Sequence, residues 1–165
     1  MIPRYRILAQ RIEQEVLDLE RTVATIQRHW AKAETSATDQ DAYLNSVALS
    51  LHGFYSGLER IFELIAVELD GGTLGRDAWH AELLRQMALD VPDVRPAALR
   101  PETVVALDEL RRFRHRVCNI YATSLDPARI QPLVAGLPTL WEHLQQDIAA
   151  FVSFLRRLAR ADPEP

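Results

Sequence analysis

The N-terminal part of the chain shows a regular alternation of apolar and polar residues. From Tyr5 to Trp30 the apolar residues recur in steps of three and four, the spacing that places side chains on one face of an α-helix. Such a stripe suits a coiled-coil seam between chains or a seam within a helical bundle, and the further helices downstream favour the bundle. The apolar positions are Leu8, Ile12, Val16, Leu19, Val23, Ile26 and Trp30.

A polar segment from Thr35 to Asp41 ends this pattern, and a second helical pattern runs from about Asp41 to Leu69. Its apolar residues cover more than one face, so we expect this helix to lie centrally and to pack against neighbours on two sides. The glycines that follow Asp70 predict the end of the helix, because glycine tolerates the left-handed backbone found just past a helix C-terminus.

A shorter helix is predicted from about Asp77 to Asp90. Pro92 and Pro96 then favour an extended connection, because proline cannot continue a helix and disfavours helical backbone in the residue before it. Pro101 begins the next predicted helix, since proline is well suited to a first helical turn. The core stripe of this fourth helix is Val104, Leu107, Leu110, Phe113, Val117 and Ile120.

The C-terminal part of the sequence predicts two helical segments separated by a break. A short segment is predicted from Pro127 to about Val134, and a last helix from about Thr139, because Gly136 and Pro138 stand between them. No segment has the alternation typical of a strand, and no internal repeat is present. The patterns together predict one all-α domain over residues 1–165, an up-and-down bundle of four to five main helices with a short extra helix and a polar tail from about residue 161.

Composition narrows the possible functions. The chain has 165 residues and a formal net charge of -4, so any contact with RNA or DNA must use a local basic patch. Cys118 is the only cysteine, which excludes an internal disulfide and a zinc site made of several thiolates, and no metal-binding motif is present. No apolar signal core and no run of 18 apolar residues appears, so we expect a cytoplasmic protein without a membrane segment.

The fourth predicted helix carries the strongest local reversal of charge. Arg111, Arg112, Arg114 and Arg116 fall within six positions of an acidic chain, a pattern that often marks a site for an anion. The same arginines would also suit an ordinary solvated face, paired with neighbouring acids such as Asp108. Arg111, Arg112 and Arg116 are therefore candidates either for RNA binding or for such surface pairing.

Helical geometry determines which side chains of this segment can contact the same small ligand. At about 100° per residue, His115 and Asn119 lie one turn apart on one face, whereas Arg114 and Asn119 diverge by about 140°. One helix alone would hold a small group poorly. Two copies related by a two-fold axis would bring Arg114 of one chain toward His115 or Asn119 of the other, which predicts a composite site in a homodimer.

The residues Arg114-His115-x-x-x-Asn119-x-Tyr121 resemble the Arg-polar-x-x-x-His-x-Tyr signature of HEPN-domain proteins. The similarity is strongest to HepT-like ribonuclease toxins, which are paired with MNT nucleotidyltransferase antitoxins. It extends over about two thirds of the chain, and the order and spacing of its short motifs are more specific than any one of them. These motifs are the segments 51–62, 79–84 and 125–127 and the last helix.

The resemblance implies a HEPN-like helical bundle that forms a homodimer and cleaves RNA without a metal or cofactor, from a site between the subunits. Arg114 then corresponds to the motif arginine and His115 to the polar residue after it. Tyr121 corresponds to the tyrosine that the partner antitoxin can modify with AMP. Asn119 stands where the family usually has its histidine, and it completes the implied catalytic set of Arg114, His115 and Asn119.

The chemistry of RNA cleavage leaves two interpretations open. Metal-independent cleavage needs a base for the 2′-hydroxyl proton, an acid for the leaving oxygen and a cation for the charge on the phosphate. Arg114 suits the last role and His115 either of the first two, whereas Asn119 cannot exchange a proton near neutral pH. The alternative is a catalytically silent module in which these residues bind RNA, a nucleotide or a protein partner.

Overall fold

The computed structural model describes residues 2–72, 79–118 and 125–161, apart from the side chains of Val117 and Cys118. Within these ranges the only β-type contact is an isolated bridge between Val91 and Arg95. The all-α prediction is therefore confirmed. The five helices are α1 (Pro3–Thr35), α2 (Gln40–Leu69), α3 (Trp79–Met87), α4 (Pro101–Cys118) and α5 (Pro127–Arg160).

Ion pairs at the helix surfaces show how the long helices run. Arg4 at the start of α1 contacts Glu68 at the end of α2, with Nε 2.6 Å from Oε2. Arg156 near the end of α5 contacts Glu13 of α1 at 2.7 Å. Helix α1 is therefore antiparallel to both α2 and α5, as expected for an up-and-down bundle. Exposed pairs of this kind contribute about 0–1 kcal/mol each, so the core holds the helices together.

Helix α2 lies at the centre of the bundle, as its sequence predicted. It packs against α1 on one side and against α3 and α4 on the other. Its inward-facing apolar side chains are buried, whereas Leu49 and Val67 face solvent, and burying each large side chain contributes roughly 1.5–3 kcal/mol. The large members without solvent exposure are Val47, Leu51, Phe54, Tyr55, Leu58 and Ile61.

Gly57 allows α1 and α2 to approach closely. A Cβ atom added at this position would lie 2.7 Å from Cδ2 of Leu19, a buried side chain of α1. A methyl group at this distance would force Leu19 to move within a packed core. Gly53, one turn earlier on α2, has nothing within 4 Å of such an atom among the described residues.

Helix α5 corrects one sequence prediction. The break expected at Gly136 and Pro138 is absent, because α5 runs without interruption from Pro127 to Arg160. Proline inside a helix removes a backbone hydrogen bond and costs about 3 kcal/mol. The apolar stripe continues through this region in helical register and outweighs that local cost. Its buried members on both sides of the prolines are Ile130, Val134, Leu137, Trp141 and Leu144.

The C-terminal ends of α2 and α3 lie close to the positions that the sequence patterns predicted, and the predicted start of α3 near Asp77 lies outside the described residues. Gly71 and Gly72 both have positive φ angles, and the Gly72 N–H donates to the Ala66 carbonyl at 2.9 Å, which ends α2 as expected. Helix α3 ends at Met87, slightly before the predicted Asp90, and a turn containing the bridged residues follows.

A buried ion pair fixes the connection between α3 and α4. The Arg95 side chain has no solvent exposure and donates to both carboxylate oxygens of Asp70, at 2.6 and 2.7 Å. Gln86 donates to the same carboxylate at 2.7 Å. Burial alone would raise the pKa of Asp70, but the hydrogen bonds from Arg95 and Gln86 and the positive charge of Arg95 outweigh it and hold that pKa below its ordinary value.

The start of α4 is anchored by a carboxylate from α5. Asp147 is buried and accepts hydrogen bonds from the Thr103 hydroxyl at 2.7 Å and from the Arg100 backbone N–H at 3.1 Å. The Arg100 side chain donates to the same carboxylate at 2.6 Å. A negative charge at the first turn also favours the helix dipole, so Asp147 fixes the position of α4 along the bundle.

Candidate functional site

The arginine-rich end of α4 packs against α2. Leu107, Leu110 and Phe113 are buried and attach α4 to the core, as the sequence stripe predicted. Arg114 follows Phe113 and therefore lies beside this buried face, where its side chain is only one-fifth exposed. Its Nη1 group donates to Oε1 of Glu59 on α2. A charge-assisted contact of this kind restricts the guanidinium to one position.

Glu59 is the residue around which the site is built. Its side chain is 6% exposed, although it lies on a helix whose other inward residues are apolar. Oε1 accepts from Arg114, and Oε2 lies 2.5 Å from Nδ1 of His80 on α3. One buried carboxylate therefore joins side chains from α3 and α4. We call Glu59, His80 and Arg114 the Glu59 cluster.

Two further residues of α2 lie beside this cluster. The Arg114 guanidinium lies over the ring of Tyr55, 5.6 Å from its centroid, a distance typical of cation–π contacts. Burial raises the pKa of the Tyr55 phenol well above its ordinary value, so this hydroxyl stays neutral and cannot act as a base. Burial and the positive charge of Arg114 lower the pKa of His52, against the opposing effect of Glu59, so His52 is neutral near pH 7.

His80 is the most accessible member of the Glu59 cluster. Its side chain is 39% exposed, and its ring stacks on the neighbouring Trp79 with centroids 3.7 Å apart and planes 31° apart. Trp79 in turn packs against the hydrophobic core. Stacking on one side and the Glu59 contact at Nδ1 together orient the imidazole.

The other arginines of the charged stretch are held by local contacts. Arg111 and Arg112 both pair with Asp108 of the same helix, at 2.8 and 2.9 Å. Arg116 donates to the Arg112 carbonyl at 3.4 Å. The two pairs with Asp108 are those that the alternative interpretation expected, and the contribution of Arg111, Arg112 and Arg116 to RNA binding stays a prediction.

Burial would raise the pKa of Asp108, but hydrogen bonds and charge from Arg111 and Arg112 lower it overall, so Asp108 stays ionised between them. The carboxylate therefore offsets part of the positive charge of this surface.

The structure directs two residues of the implied motif, Arg114 and His115, to different sides of α4. Arg114 points toward the bundle and contacts Glu59, whereas His115 is exposed on the surface of α4. Asn119 and Tyr121 lie outside the described residues, which end in α4 at Cys118. Arg114 and His115 thus face different directions within one chain, and their meeting across a two-fold axis stays a prediction.

The profile of a family described as HepT-like protein matches residues 46–155, which is about two thirds of the chain. This chain belongs to the HepT-like protein family. The resemblance to HepT-like proteins is thereby confirmed, and the activity and partner that it implies stay predictions. Comparison with the curated proteins gives no match, and comparison with the solved structures gives none.

The matched region of this HepT-like protein contains the whole Glu59 cluster and none of α1. Glu59, His80 and Arg114 all lie between residues 46 and 155, whereas α1 ends at Thr35. Helix α1 therefore completes the bundle from outside the matched region, and the candidate site belongs to the part of the chain that carries the family likeness.

Sequence reasoning did not identify Glu59 and His80 as partners of Arg114. A signal for Glu59 was nevertheless present, because it stands four residues after Tyr55 and three before Phe62, within the apolar pattern of α2. An acid on a buried helix face requires a cationic or hydrogen-bonding partner. The identity of that partner depends on how α3 and α4 pack, which no local pattern reveals.

Among residues 2–72, 79–118 and 125–161, no group of three or more histidine, cysteine or acidic side chains is arranged to hold a metal ion. No helix in this part of the chain is long and apolar enough to cross a membrane.

Proposed function

We propose that this HepT-like protein is a metal-independent RNA endonuclease that acts as the toxin of a toxin–antitoxin pair. The observation that carries the proposal is the position of Arg114, whose guanidinium is held at a half-buried place near the end of α4 by Glu59 and Tyr55. A pre-positioned arginine whose side chain keeps some exposure to solvent is suited to a phosphate group. The family membership supports the same assignment.

Arg114 supplies the cation for the transition state. A guanidinium carries five N–H donors, more than one carboxylate can accept, so contact with Glu59 is compatible with donation to phosphate oxygens. Its planar arrangement suits two oxygens of one phosphate and stabilises the charge that develops during cleavage. Arg111, Arg112 and Arg116 add positive charge along the path of the RNA backbone.

His115 supplies a proton to the leaving oxygen in this proposal, and Asn119 orients the substrate through its amide. Because Arg114 faces the bundle and His115 faces outward, the two residues meet only if His115 comes from a second subunit. The proposal therefore includes a homodimer whose two-fold axis lies near the end of α4.

An MNT-type nucleotidyltransferase antitoxin is the proposed partner, and Tyr121 the residue that it modifies. Tyr121 follows Arg116 by five residues in the sequence, and adding AMP to it would introduce a negative phosphate. Such a group would compete with the RNA phosphates for the arginines of α4 and so would switch the toxin off.

A catalytically silent binding module is the second candidate. Two observations favour it: Asn119 replaces the usual histidine, and the Glu59 carboxylate offsets the charge of Arg114. In this case the basic surface of α4 would bind RNA without cleaving it.

Incubation of the purified protein with end-labelled RNA in EDTA distinguishes the two candidates. The proposed ribonuclease cleaves in the absence of divalent metal and leaves 2′,3′-cyclic phosphate ends, and Arg114→Ala abolishes the products. Arg11→Ala is the matched control, because Arg11 is exposed on α1 outside the matched region. A gel shift without products in the wild-type protein would reject cleavage and support the binding module.

A further inference from the structure

A ribonuclease of this type needs a base to accept the proton of the 2′-hydroxyl, and this chain has Asn119 in place of the motif histidine. Asparagine exchanges no proton near neutral pH. A chain with the ribonuclease activity proposed above, on which this assignment rests, must therefore take its base from another residue.

His80 has the features of a base held by a carboxylate. Its Nδ1 lies 2.5 Å from Oε2 of Glu59, and a carboxylate can only accept, so Nδ1 carries the proton. In the neutral ring Nε2 is then left with its lone pair, on the opposite edge of the imidazole. A buried acid that fixes the tautomer and orientation of a histidine is the arrangement found in many sites of proton transfer.

The same carboxylate places His80 next to the phosphate-binding residue. Arg114 contacts Oε1 of Glu59 and His80 contacts Oε2, so the imidazole and the guanidinium lie on either side of one group. Of the charged and titratable groups nearby, Glu59 contacts His80 directly, and His52, Tyr55 and Arg114 interact electrostatically with Glu59. Tyr55 is a buried neutral phenol.

We propose that His80, positioned by Glu59, is the general base of RNA cleavage and replaces the histidine absent at residue 119. Nε2 of His80 takes the 2′-hydroxyl proton as the 2′-oxygen forms a bond to phosphorus. The bond from phosphorus to the 5′-oxygen breaks, and that oxygen leaves with the electron pair and takes a proton from protonated His115. The products are a 2′,3′-cyclic phosphate and a 5′-hydroxyl, and proton exchange with water returns both histidines to their starting states.

Glu59 is a positioning residue in this scheme, because it acts through His80 and Arg114 and does not itself contact the RNA. Its two oxygens set the distance between base and cation. Removing the charge of Glu59 should therefore change the positions of both His80 and Arg114. A substitution of His80 affects the proposed base alone and is the more specific test.

The test compares His80→Ala, His80→Gln and His143→Ala in the full-length protein, with end-labelled RNA in EDTA and with or without added imidazole. Truncation at His80 leaves space for free imidazole, whereas the glutamine amide can still donate to Glu59 but cannot transfer a proton. His143 is the matched control, because it lies near the other end of α4 from Arg114. Its backbone carbonyl accepts a hydrogen bond from Arg100, which directly precedes α4 and is about 20 Å from Arg114 along the helix axis. Circular dichroism and gel shifts check folding and RNA binding for each variant.

We expect both His80 variants to fold and to bind RNA normally but to cleave it about 100-fold more slowly or worse. Imidazole should restore part of the activity of His80→Ala and none of that of His80→Gln, and the His143→Ala rate should be normal. Adding Glu59→Gln to His80→Ala should remove the rescue, because the carboxylate that orients the imidazole is then absent.

The experiment distinguishes an error in the assignment of His80 from an error in the ribonuclease assignment. If wild-type protein cleaves RNA and His80→Ala cleaves at the same rate, or if a folded His80→Ala is inactive and imidazole does not rescue it, then His80 is not the base and the ribonuclease assignment stands. If wild-type protein does not cleave RNA at all, both proposals are wrong.

Discussion

His80 and Arg114 contact different oxygens of the same carboxylate, that of Glu59. The two residues come from α3 and α4 and are far apart in the sequence, yet the buried acid of α2 brings them together. A site assembled in this way depends on the packing of three helices and not on the motif in α4 alone.

The first prediction concerns the subunit origin of Arg114 and His115. Arg114→Ala should reduce cleavage about 10²–10³-fold through loss of phosphate stabilisation, and His115→Ala by a similar factor through loss of proton transfer. If one site uses Arg114 of one subunit and His115 of the other, mixing and refolding the two variants creates heterodimers with one intact site. Activity should then recover to about a quarter of the wild-type value for random pairing.

Refolding each variant alone is the control for this experiment and should restore nothing. A mixture that stays as inactive as its components would mean that both residues act from one subunit. Wild-type rates in the single variants would remove Arg114 and His115 from the mechanism altogether.

The second prediction concerns the acid sensitivity contributed by Asp70. Its pKa lies below the ordinary value in the folded chain, so the stability that it contributes is complete above about pH 4 and is lost as the pH falls through the folded pKa. Asp70→Asn should lower the free energy of unfolding by about 3 kcal/mol near neutral pH, because it leaves the buried Arg95 without its charge partner. The difference from wild type should shrink below about pH 4, as measured by urea denaturation.

Asp18→Asn serves as the comparison, since Asp18 forms an exposed pair with Arg21. It should change the unfolding free energy by less than about 1 kcal/mol at any pH. A constant difference between Asp70→Asn and wild type across the acid range would contradict the assignment of a lowered pKa.

The third prediction concerns the proline in the middle of α5. Pro138 is exposed, so Pro138→Ala removes no core packing and restores a backbone N–H that can donate to the Val134 carbonyl. The gain from removing an interior proline is about 3 kcal/mol, reduced by roughly 0.4–1 kcal/mol because alanine leaves the unfolded chain more flexible. Thermal denaturation should show a higher midpoint.

Pro127 gives the matched comparison within the same helix. It is the first residue of α5, where the missing N–H would have no helical partner. Pro127→Ala should therefore leave the midpoint unchanged or lower it. Equal stabilisation by both substitutions would show that α5 does not continue through Pro138.

The fourth prediction compares two glycines of α2. Gly53→Ala should stabilise the protein by roughly 0.5–1 kcal/mol, because alanine is the better helix former and the described residues leave space for its methyl group. Gly57→Ala should destabilise it, because the methyl group would meet Leu19 in the core and such overpacking costs about 1–3 kcal/mol. Urea denaturation of both variants measures the two effects, and stabilisation by Gly57→Ala would contradict the close approach of α1 and α2.

The sequence predicted the helices well, because each one buries an apolar stripe whose spacing is set by the helix itself. The stripe from Leu8 to Ile26 and the buried positions Leu107, Leu110 and Phe113 illustrate this agreement. The expected break at Pro138 was wrong because local proline preference was outweighed by packing of the side chains around it. Tertiary contacts of that kind have no signature within a few residues of sequence.

The candidate site was predicted only in part for the same reason. Arg114 and its neighbours could be found from charge and motif, which are local properties. The pairing of Arg114 with Glu59 could not, because it depends on the relative rotation of α2 and α4. His80 could not be placed either, since its role follows from a hydrogen bond between α2 and α3.

Helix α4 is tied down at two separate levels, by Asp147 at Thr103 and by Glu59 at Arg114, about 16 Å apart along its axis. A helix held at two positions cannot rotate about its axis or shift along it unless one of the two contacts breaks. The direction in which the Arg114 guanidinium points is therefore set by α2 and α5. A partner that docks on the opposite surface of α4 would have to break the contact of Asp147 or of Glu59 before Arg114 could turn toward that partner.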